Sequence, residues 1–320
     1  MNYGITVITI EQETHGGSKP ERKVTGIYSP GTNIVYQNSY QSNWLCVISV
    51  ETFTYSKSQQ LGIQIGIAFT DLSTSSSYLS ESTSTKDDSH YSFDETYRLL
   101  QIYQPSEILL YNRNPTQLSN ETICEELDIQ SIPVHNKEWC AQLYKKSIQK
   151  EILLQSYENK TNMNIFEYLH LHQYDLSVYS FVALLKYAKI HNPLIIKQLS
   201  KPVIVSNYNH LLLTQNAIHQ LDLIPNKILS KSTKFNSLLS VINKCSTSPG
   251  KRLLQLRLLN PITNCEIIQK RYDCQLFLRE KENTQQYRYE LIEKFLKQIN
   301  DIERIHRRMK LGYFKFYEFC

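Results

Sequence analysis

The chain has 320 residues, 41% of them hydrophobic, and a formal charge of +5 at pH 7, which gives room for two or three domains that each bury a core. No apolar run reaches the ~18 residues of a membrane span, and Met1 to Ile10 has no basic stretch leading into a cleavable apolar one, so neither a spanning helix nor a secretory leader is expected. The seven cysteines (Cys46, Cys124, Cys140, Cys245, Cys265, Cys274, Cys320) include no pair at metal-ligand spacing, and reduced thiols of a cytosolic or nuclear-type compartment are the simpler reading.

The net charge hides an asymmetry. Residues 1–140 carry 8 Lys and Arg against 16 Asp and Glu, and residues 141–320 carry 27 against 14, so a half at −8 precedes a half at +13. A basic half suits a polyanionic partner, although scattered lysines also serve solubility.

In chain order, Gly4 to Ile10 reads as a strand, His15-Gly16-Gly17 as a loop, and Arg22-Lys23-Val24-Thr25-Gly26-Ile27-Tyr28 as a short strand closed by the turn signal Pro30-Gly31. Residues 1–40 are too short and polar for a core and read as the end of a domain whose beginning is absent. Trp44 to Phe53 and Leu61 to Phe69 are β-rich and predict a hairpin. The Ser/Thr-rich stretch Ser75 to His90 predicts an exposed loop. Phe93 to Tyr103 has helical spacing, Ile108 to Tyr111 reads as a strand, Thr122 to Leu127 as a helix and Ser131 to Val134 as a strand, together a small α/β domain over 41–136.

Beyond Glu138 strand signals nearly vanish. Trp139 to Ser156, Ile165 to Leu171 and Ser177 to His191 predict helices, the last ended by Asn192-Pro193. The apolar Leu211 to Leu223 leads to the most informative stretch, Asn236 to Pro261, which reads as two helices meeting at a polar corner. Ser248 is the expected N-cap of the second, with Pro249 at its first position and Pro261 closing it. Leu253, Leu254, Leu258 and Leu259 form its apolar stripe, away from Lys251, Arg252, Gln255 and Arg257. Cys265 to Phe277 and Gln285 to Leu311 predict long helices; in the second, Ile292, Phe295, Leu296, Ile299, Ile302, Ile305 and Met309 repeat every 3.6 residues and predict a core face. An elongated all-α domain over 138–320 follows.

Gly250-Lys251 invites comparison with a phosphate loop. That loop needs a glycine five residues earlier and Ser or Thr after the lysine, positions held here by Cys245 and Arg252, so no nucleotide site is expected. Asp71 past a strand, with Glu107 or Asp94, could hold a metal in a nuclease-like fold, or could form a turn while Glu107 begins a strand. His170 and His172 lie two apart and would face different sides of a helix. Arg304, Arg307, Arg308 and Lys310 could meet phosphates, against the simpler pairing of Glu303 with Arg307 and Asp301 with Arg304.

The sequence resembles the MutS family of DNA mismatch-repair proteins. Ser237-Leu238-Leu239-Ser240-Val241-Ile242-Asn243, Thr247, Gly250-Lys251-Arg252-Leu253-Leu254, Pro261 and Arg271-Tyr272-Asp273 follow the opening of that family's helical core, and Asp301-Ile302-Glu303-Arg304 is similar to its later Asp-Leu-Glu-Arg. Arg22-Lys23-Val24-Thr25 with Ser29-Pro30-Gly31-Thr32 looks like the end of its mismatch-recognition domain. Gly66 to Asp71 with Pro105-Ser106-Glu107-Ile108-Leu109-Leu110 looks like its ribonuclease-H-like connector.

The resemblance implies three parts: a recognition-domain remnant (1–40), a connector (41–136) and an incomplete core (138–320) with structural motif residues Thr247, Pro249, Gly250, Arg252, Leu253, Leu254, Pro261 and Arg271. It implies binding of mismatched double-stranded DNA coupled to ATP and Mg²⁺ in the intact family, a MutS-type dimer partner, downstream repair factors at the connector, and an intracellular compartment that contains DNA. Neither the family's mismatch-wedging Phe-x-Glu nor its Walker loop has a counterpart here, so no catalytic, cofactor or metal residue is expected in this chain. A metal-dependent ribonuclease-H-like nuclease using Asp71 and Glu107, and a pure repair-protein interaction module, are the rival expectations.

Overall fold

The computed structural model describes residues 5–12, 22–32, 42–55, 60–157, 163–205, 210–211, 218, 220–225, 236–281 and 286–314. The expected loop at His15-Gly16-Gly17 and most of the Leu211 to Leu223 stretch lie outside them. The chain divides into two compact units, with residues 43–205 as the body of the first and 206–309 as the body of the second.

In the first unit, β1 (Val7–Gln12) and β2 (Arg22–Tyr28) form an antiparallel hairpin. The main sheet has six strands in the order β7-β6-β3-β4-β5-β8. β3 (Trp44–Thr54), β4 (Leu61–Asp71) and β5 (Ser76–Thr83) run antiparallel in sequence. The helix α1 (Tyr91–Tyr103) then carries the chain to β6 (Glu107–Asn112), which lies parallel to β3 on its other side. After α2 (Asn120–Glu126), β7 (Val134–Lys137) adds parallel to β6, and β8 (Val203–Ile204) adds parallel to β5. The expected β3–β4 hairpin, the helix after it and the following strand are all present. Leu45 to Ile48 and Val50 are fully buried, as a central strand covered on both faces requires.

The Ser/Thr-rich stretch is an exposed loop only in its second part, residues 85–90. Residues 76–83 are β5, with Ser77, Ser80 and Ser82 buried. Serine is tolerated there because its hydroxyl finds a partner: Ser77 Oγ meets Thr70 Oγ1 at 3.1 Å and Ser82 Oγ donates to the Ser92 carbonyl at 3.3 Å, so burial leaves no polar group stranded.

Three helices then join the core of this sheet: α5 (Asp175–His191) lies on its strands, α3 (Lys146–Ser156) packs on α5, and α4 (Ile165–Tyr168) packs on α3. Residues 139–156 do not form one helix, since a 3₁₀ turn at Ala141–Tyr144 precedes α3. Leu45, Val47, Ala68, Leu79 and Leu109 of the strands share a core with Leu153, Ile165, Val178, Phe181, Val182 and Leu185. The domain boundary expected at 136–138 is therefore corrected: these helices belong with the sheet, and the division falls after Val205. The physical reason is α5, buried continuously from Leu176 to Leu185. Its start rests on the Gly66 backbone, where an added Cβ would come within 2.4 Å of Leu176 C. Ser180 Oγ donates to Gly66 O at 2.7 Å, and Glu81 accepts from the amides of Leu176 and Ser177, both at 2.9 Å, which satisfies two N–H groups that the helix leaves open.

The described residues of the second unit form α6 (Leu238–Ile242), α7 (Ser248–Leu259), α8 (Cys265–Arg279), α9 (Arg288–Leu296) and α10 (Ile302–Lys310). The corner between α6 and α7 is as expected, but the cap is Thr247, whose hydroxyl accepts from Gly250 N, and Ser248 is already helical. The helix expected over 285–311 is two, because Asp301 begins a new one: its carbonyl accepts from Ile305 N at 2.9 Å and its side chain from Arg304 N at 3.4 Å. The apolar face expected there is largely exposed. Of its residues Ile305 is buried, whereas Phe295 is 70% and Ile302 61% exposed, and α8 buries no residue.

Candidate functional site

Two polar constellations are present among the described residues, one at the end of the sheet and one in the helical unit. The first is built on the pair proposed from sequence as metal ligands. Strand register sets Asp71 opposite Trp44 and Glu107 opposite Leu45, so both carboxylates flank the start of β3, and both are fully buried.

Their oxygens are already engaged. Asp71 Oδ1 accepts from Ser73 N at 2.9 Å and from Ser73 Oγ at 2.6 Å, while Oδ2 accepts from Asn43 N at 3.3 Å. Glu107 Oε2 accepts from Ser29 Oγ at 2.6 Å and Gly31 N at 2.9 Å, and Oε1 accepts from the Tyr187 hydroxyl at 2.6 Å. His135 Nε2 stands 3.0 Å from Oε1 without the alignment of a hydrogen bond. Burial and the neighbouring Glu107 push the Tyr187 phenol above its ordinary value, which keeps it a donor. Among the described residues no group of three or more His, Cys, Asp or Glu side chains could hold a metal. Asp94 is exposed on α1, and His170 and His172 are exposed on either side of Leu171. Asp71 is thus the turn former that the simpler reading of the sequence described.

The second constellation brings together residues 49 positions apart. Arg252 on α7 donates from Nη1 to Asp301 Oδ2 at 2.7 Å and from Nη2 to Asp301 Oδ1 at 2.8 Å, and Nη2 also reaches Glu303 Oε2. Arg304 Nε lies 3.6 Å from Asp301 Oδ2. The fork matches the carboxylate plane, the arrangement in which Arg is not replaceable by Lys. Burial works against charge on both partners, yet the mutual bonds outweigh it: Arg252 is raised and Asp301 is held below its ordinary 3.8. The expected i,i+3 pairing of Asp301 with Arg304 is present.

The remaining expected residues scatter. Arg307 is 1% exposed, which corrects its reading as a phosphate contact, since solvent-borne phosphate does not reach it in this arrangement. Arg308 is half-buried and Lys310 exposed. Leu254 is half-buried and Leu253 45% exposed, so the stripe of α7 is fully covered at Leu259. Pro261 follows the end of α7 and its carbonyl accepts from Leu211 N at 2.8 Å, while Arg271 is half-buried on α8. At the start of α7 the Gly250 amide is held by Thr247 Oγ1 at 3.2 Å and Arg252 is committed to Asp301, so the residues at Gly250-Lys251 do not fit a nucleotide phosphate. Ser29, Asn43, His135 and Tyr187 were not legible as site residues; their partners lie 28 to 80 positions away.

Comparison with known proteins gives two family matches. MutS domain II matches residues 48–195 and MutS domain III residues 209–318. Among relatives, the mutS homolog L359 of Acanthamoeba polyphaga mimivirus is 32% identical over the whole chain, which covers 30% of that protein. A mitochondrial DNA mismatch repair protein mutS homolog of Sarcophyton glaucum is 36% identical over 54% of the chain and 17% of the relative. The DNA mismatch repair protein MutS of Petrotoga mobilis is 28% identical over 91% of the chain and 31% of the relative. The chain therefore spans less than a third of the length of these relatives.

Proposed function

Because the chain belongs to the MutS family of DNA mismatch-repair proteins, we propose that it provides the connector and part of the helical core of a mismatch-repair assembly. The observation that carries this is the agreement between sequence matches and folding units: the domain II and domain III matches occur in family order, and the division between units after Val205 falls between them. In this reading the first unit is the connector, and the antiparallel β3–β4–β5 extended by the parallel β6 and β7 supports a ribonuclease-H-like fold for it. The second unit is the all-α core, supported by five helices among its described residues.

The core acts mechanically, passing nucleotide state between an ATPase and a DNA clamp through rigid helices that repack at their contacts. ATP and Mg²⁺ belong to other parts of such an assembly, since the residues at Gly250-Lys251 do not fit them. Its partners are double-stranded DNA, a MutS-type second subunit and repair factors at the connector, in an intracellular compartment that contains DNA; among the described residues no helix is long and apolar enough to cross a membrane. Of Arg304, Arg307, Arg308 and Lys310 on α10, Lys310 is the exposed one and is the residue we assign to phosphate contact.

The test is a fluorescence-anisotropy titration of the purified chain with matched and mismatched duplexes at several salt concentrations, beside an ATP-turnover assay. Weak binding that falls steeply with salt, without mismatch preference and without turnover, is expected. Tight mismatch discrimination or ATP hydrolysis by the chain alone would overturn the scaffold role. The nuclease alternative is disfavoured because the Asp71 and Glu107 oxygens are spent on protein donors.

A further inference from the structure

A fully buried carboxylate that neither binds metal nor lies in an ion pair with Lys or Arg needs a reason to be there, because desolvating it is costly unless several donors converge on it. At Glu107, which opens β6, the hydrogen-bond donors come from two other segments of the first unit: Ser29 and Gly31 belong to the turn that follows β2 and Tyr187 to α5, with the His135 ring of β7 close by.

The turn at residues 29–32 is bonded within itself. Ser29 N donates to Thr32 Oγ1 at 3.0 Å and Thr32 N to the Ser29 carbonyl at 3.1 Å, so it is closed on itself. Among the described residues it is joined to Glu107 on one side and to Asn43 on the other, whose Nδ2 donates to the Pro30 carbonyl at 2.7 Å. Asn43 is held in turn by Ser106 Oγ, at 2.5 Å from its Oδ1, and by the Asp71 carboxylate. The two acids that sequence suggested as a metal pair thus grip one turn from either side. The fit is close: a Cβ on Gly31 would sit 2.8 Å from Leu45 Cδ1 and 2.9 Å from Glu107 Oε2. Ser29, Gly31 and Thr32 are buried although the hairpin before them is not; Val7, Ile8, Ile10 and Val24 are all more than half exposed.

We propose that Glu107 is a buried latch that fastens the turn at residues 29–32, and through it the end of the β1–β2 hairpin, to the parallel side of the main sheet. Among the described large apolar side chains of the hairpin, only Ile27 and Tyr28 beside the turn are half-buried, so hydrogen bonds at the turn set its position. Releasing the latch frees the hairpin while leaving the sheet intact. Glu107 is in this sense a positioning residue. The reading goes beyond the scaffold role and stands or falls independently of DNA binding.

Hydrogen–deuterium exchange on the full chain tests it, comparing a peptide over residues 28–32 with one inside β4 (residues 64–69) in the parent, in Ser29→Ala and in Glu107→Gln. Loss of one charge-assisted bond should speed exchange in 28–32 by about tenfold or more while β4 stays at the parent rate. Ser29→Ala keeps the buried carboxylate and its other donors, so it reports on the latch even if Glu107→Gln disturbs folding. Unchanged exchange in 28–32, or a rise shared equally by β4, overturns the proposal.

Discussion

Arg252→Ala should destabilise the helical unit by much more than an ordinary surface charge would. The guanidinium makes two parallel bonds to Asp301 at 2.7 and 2.8 Å, and the two side chains are 11% and 16% exposed. An exposed ion pair contributes about 0–1 kcal/mol, whereas breaking a buried one costs about 3–5 kcal/mol because the partner is left uncompensated. With both ends mostly but not wholly covered, a loss of about 2–3 kcal/mol follows from charge-assisted bonding and partial burial. A double-mutant cycle with Asp301→Ala should return a coupling of about 1.5–2.5 kcal/mol, and Arg252→Lys should recover only part of it, since the ammonium cannot reproduce the fork. Both tryptophans, Trp44 and Trp139, lie in the first unit, so urea unfolding must be followed by far-ultraviolet circular dichroism, fitted with a transition for each unit. The pair also has a pH signature. Burial tends to raise Asp301, but the bonds from Arg252 prevail and hold it below 3.8. Its stabilisation is therefore complete above the unfolded value and is lost as pH falls through the lower folded value; Asp301→Asn should flatten that acid limb. A coupling under about 0.5 kcal/mol would falsify the idea that this fork joins α7 to α10 energetically.

Other expectations concern packing. Gly66→Ala places a methyl within 2.4–2.6 Å of the Leu176 and Ser177 backbone, which cannot yield as a flexible side chain could; a loss of about 1–3 kcal/mol in a urea titration followed by tryptophan fluorescence is expected, and a change within ±0.5 kcal/mol would contradict this close approach. On α7 the order of cost should follow burial: Leu259→Ala, at a 1% exposed site, about 2–5 kcal/mol, Leu254→Ala less, and Leu253→Ala, at 45% exposure, under about 1 kcal/mol. A reversed order in thermal or denaturant unfolding would show that the covered face of α7 has been misassigned.

Strands β3, β4 and β6 were legible because continuous apolar runs bounded by polar segments leave few alternatives. β5 was not, because serine advertises a loop and the hydroxyl partners that make it acceptable lie on other elements. The affiliation of α5 was equally hidden. Its all-round burial is visible as an apolar sequence, but only Gly66 and Glu81, contributed by β4 and β5, fix it to the sheet. In the helical unit, periodicity found the helices but not their coverage, since a 3.6-residue apolar repeat says which side could be buried and not what buries it. The Arg252–Asp301 fork spans 49 positions and Glu107 with Ser29 spans 78, separations over which local pattern carries no signal. Motif resemblance reached further, since it identified Arg252 and Asp301 as members of one core without indicating that they touch.

The two rims of the six-stranded sheet are its shortest members, β7 with four residues and β8 with two. An open strand edge is a template on which another chain can add itself, and long flat edges are where fibrils and swapped dimers begin. Here the long, apolar strands β3 and β4 are enclosed, with His135, Asn136 and Lys137 along one rim, and on the other side β8 pairs β5 only at Tyr78 and Leu79. A strand added at either side would therefore meet a short polar strand or the serine-rich β5 rather than the apolar centre of the sheet.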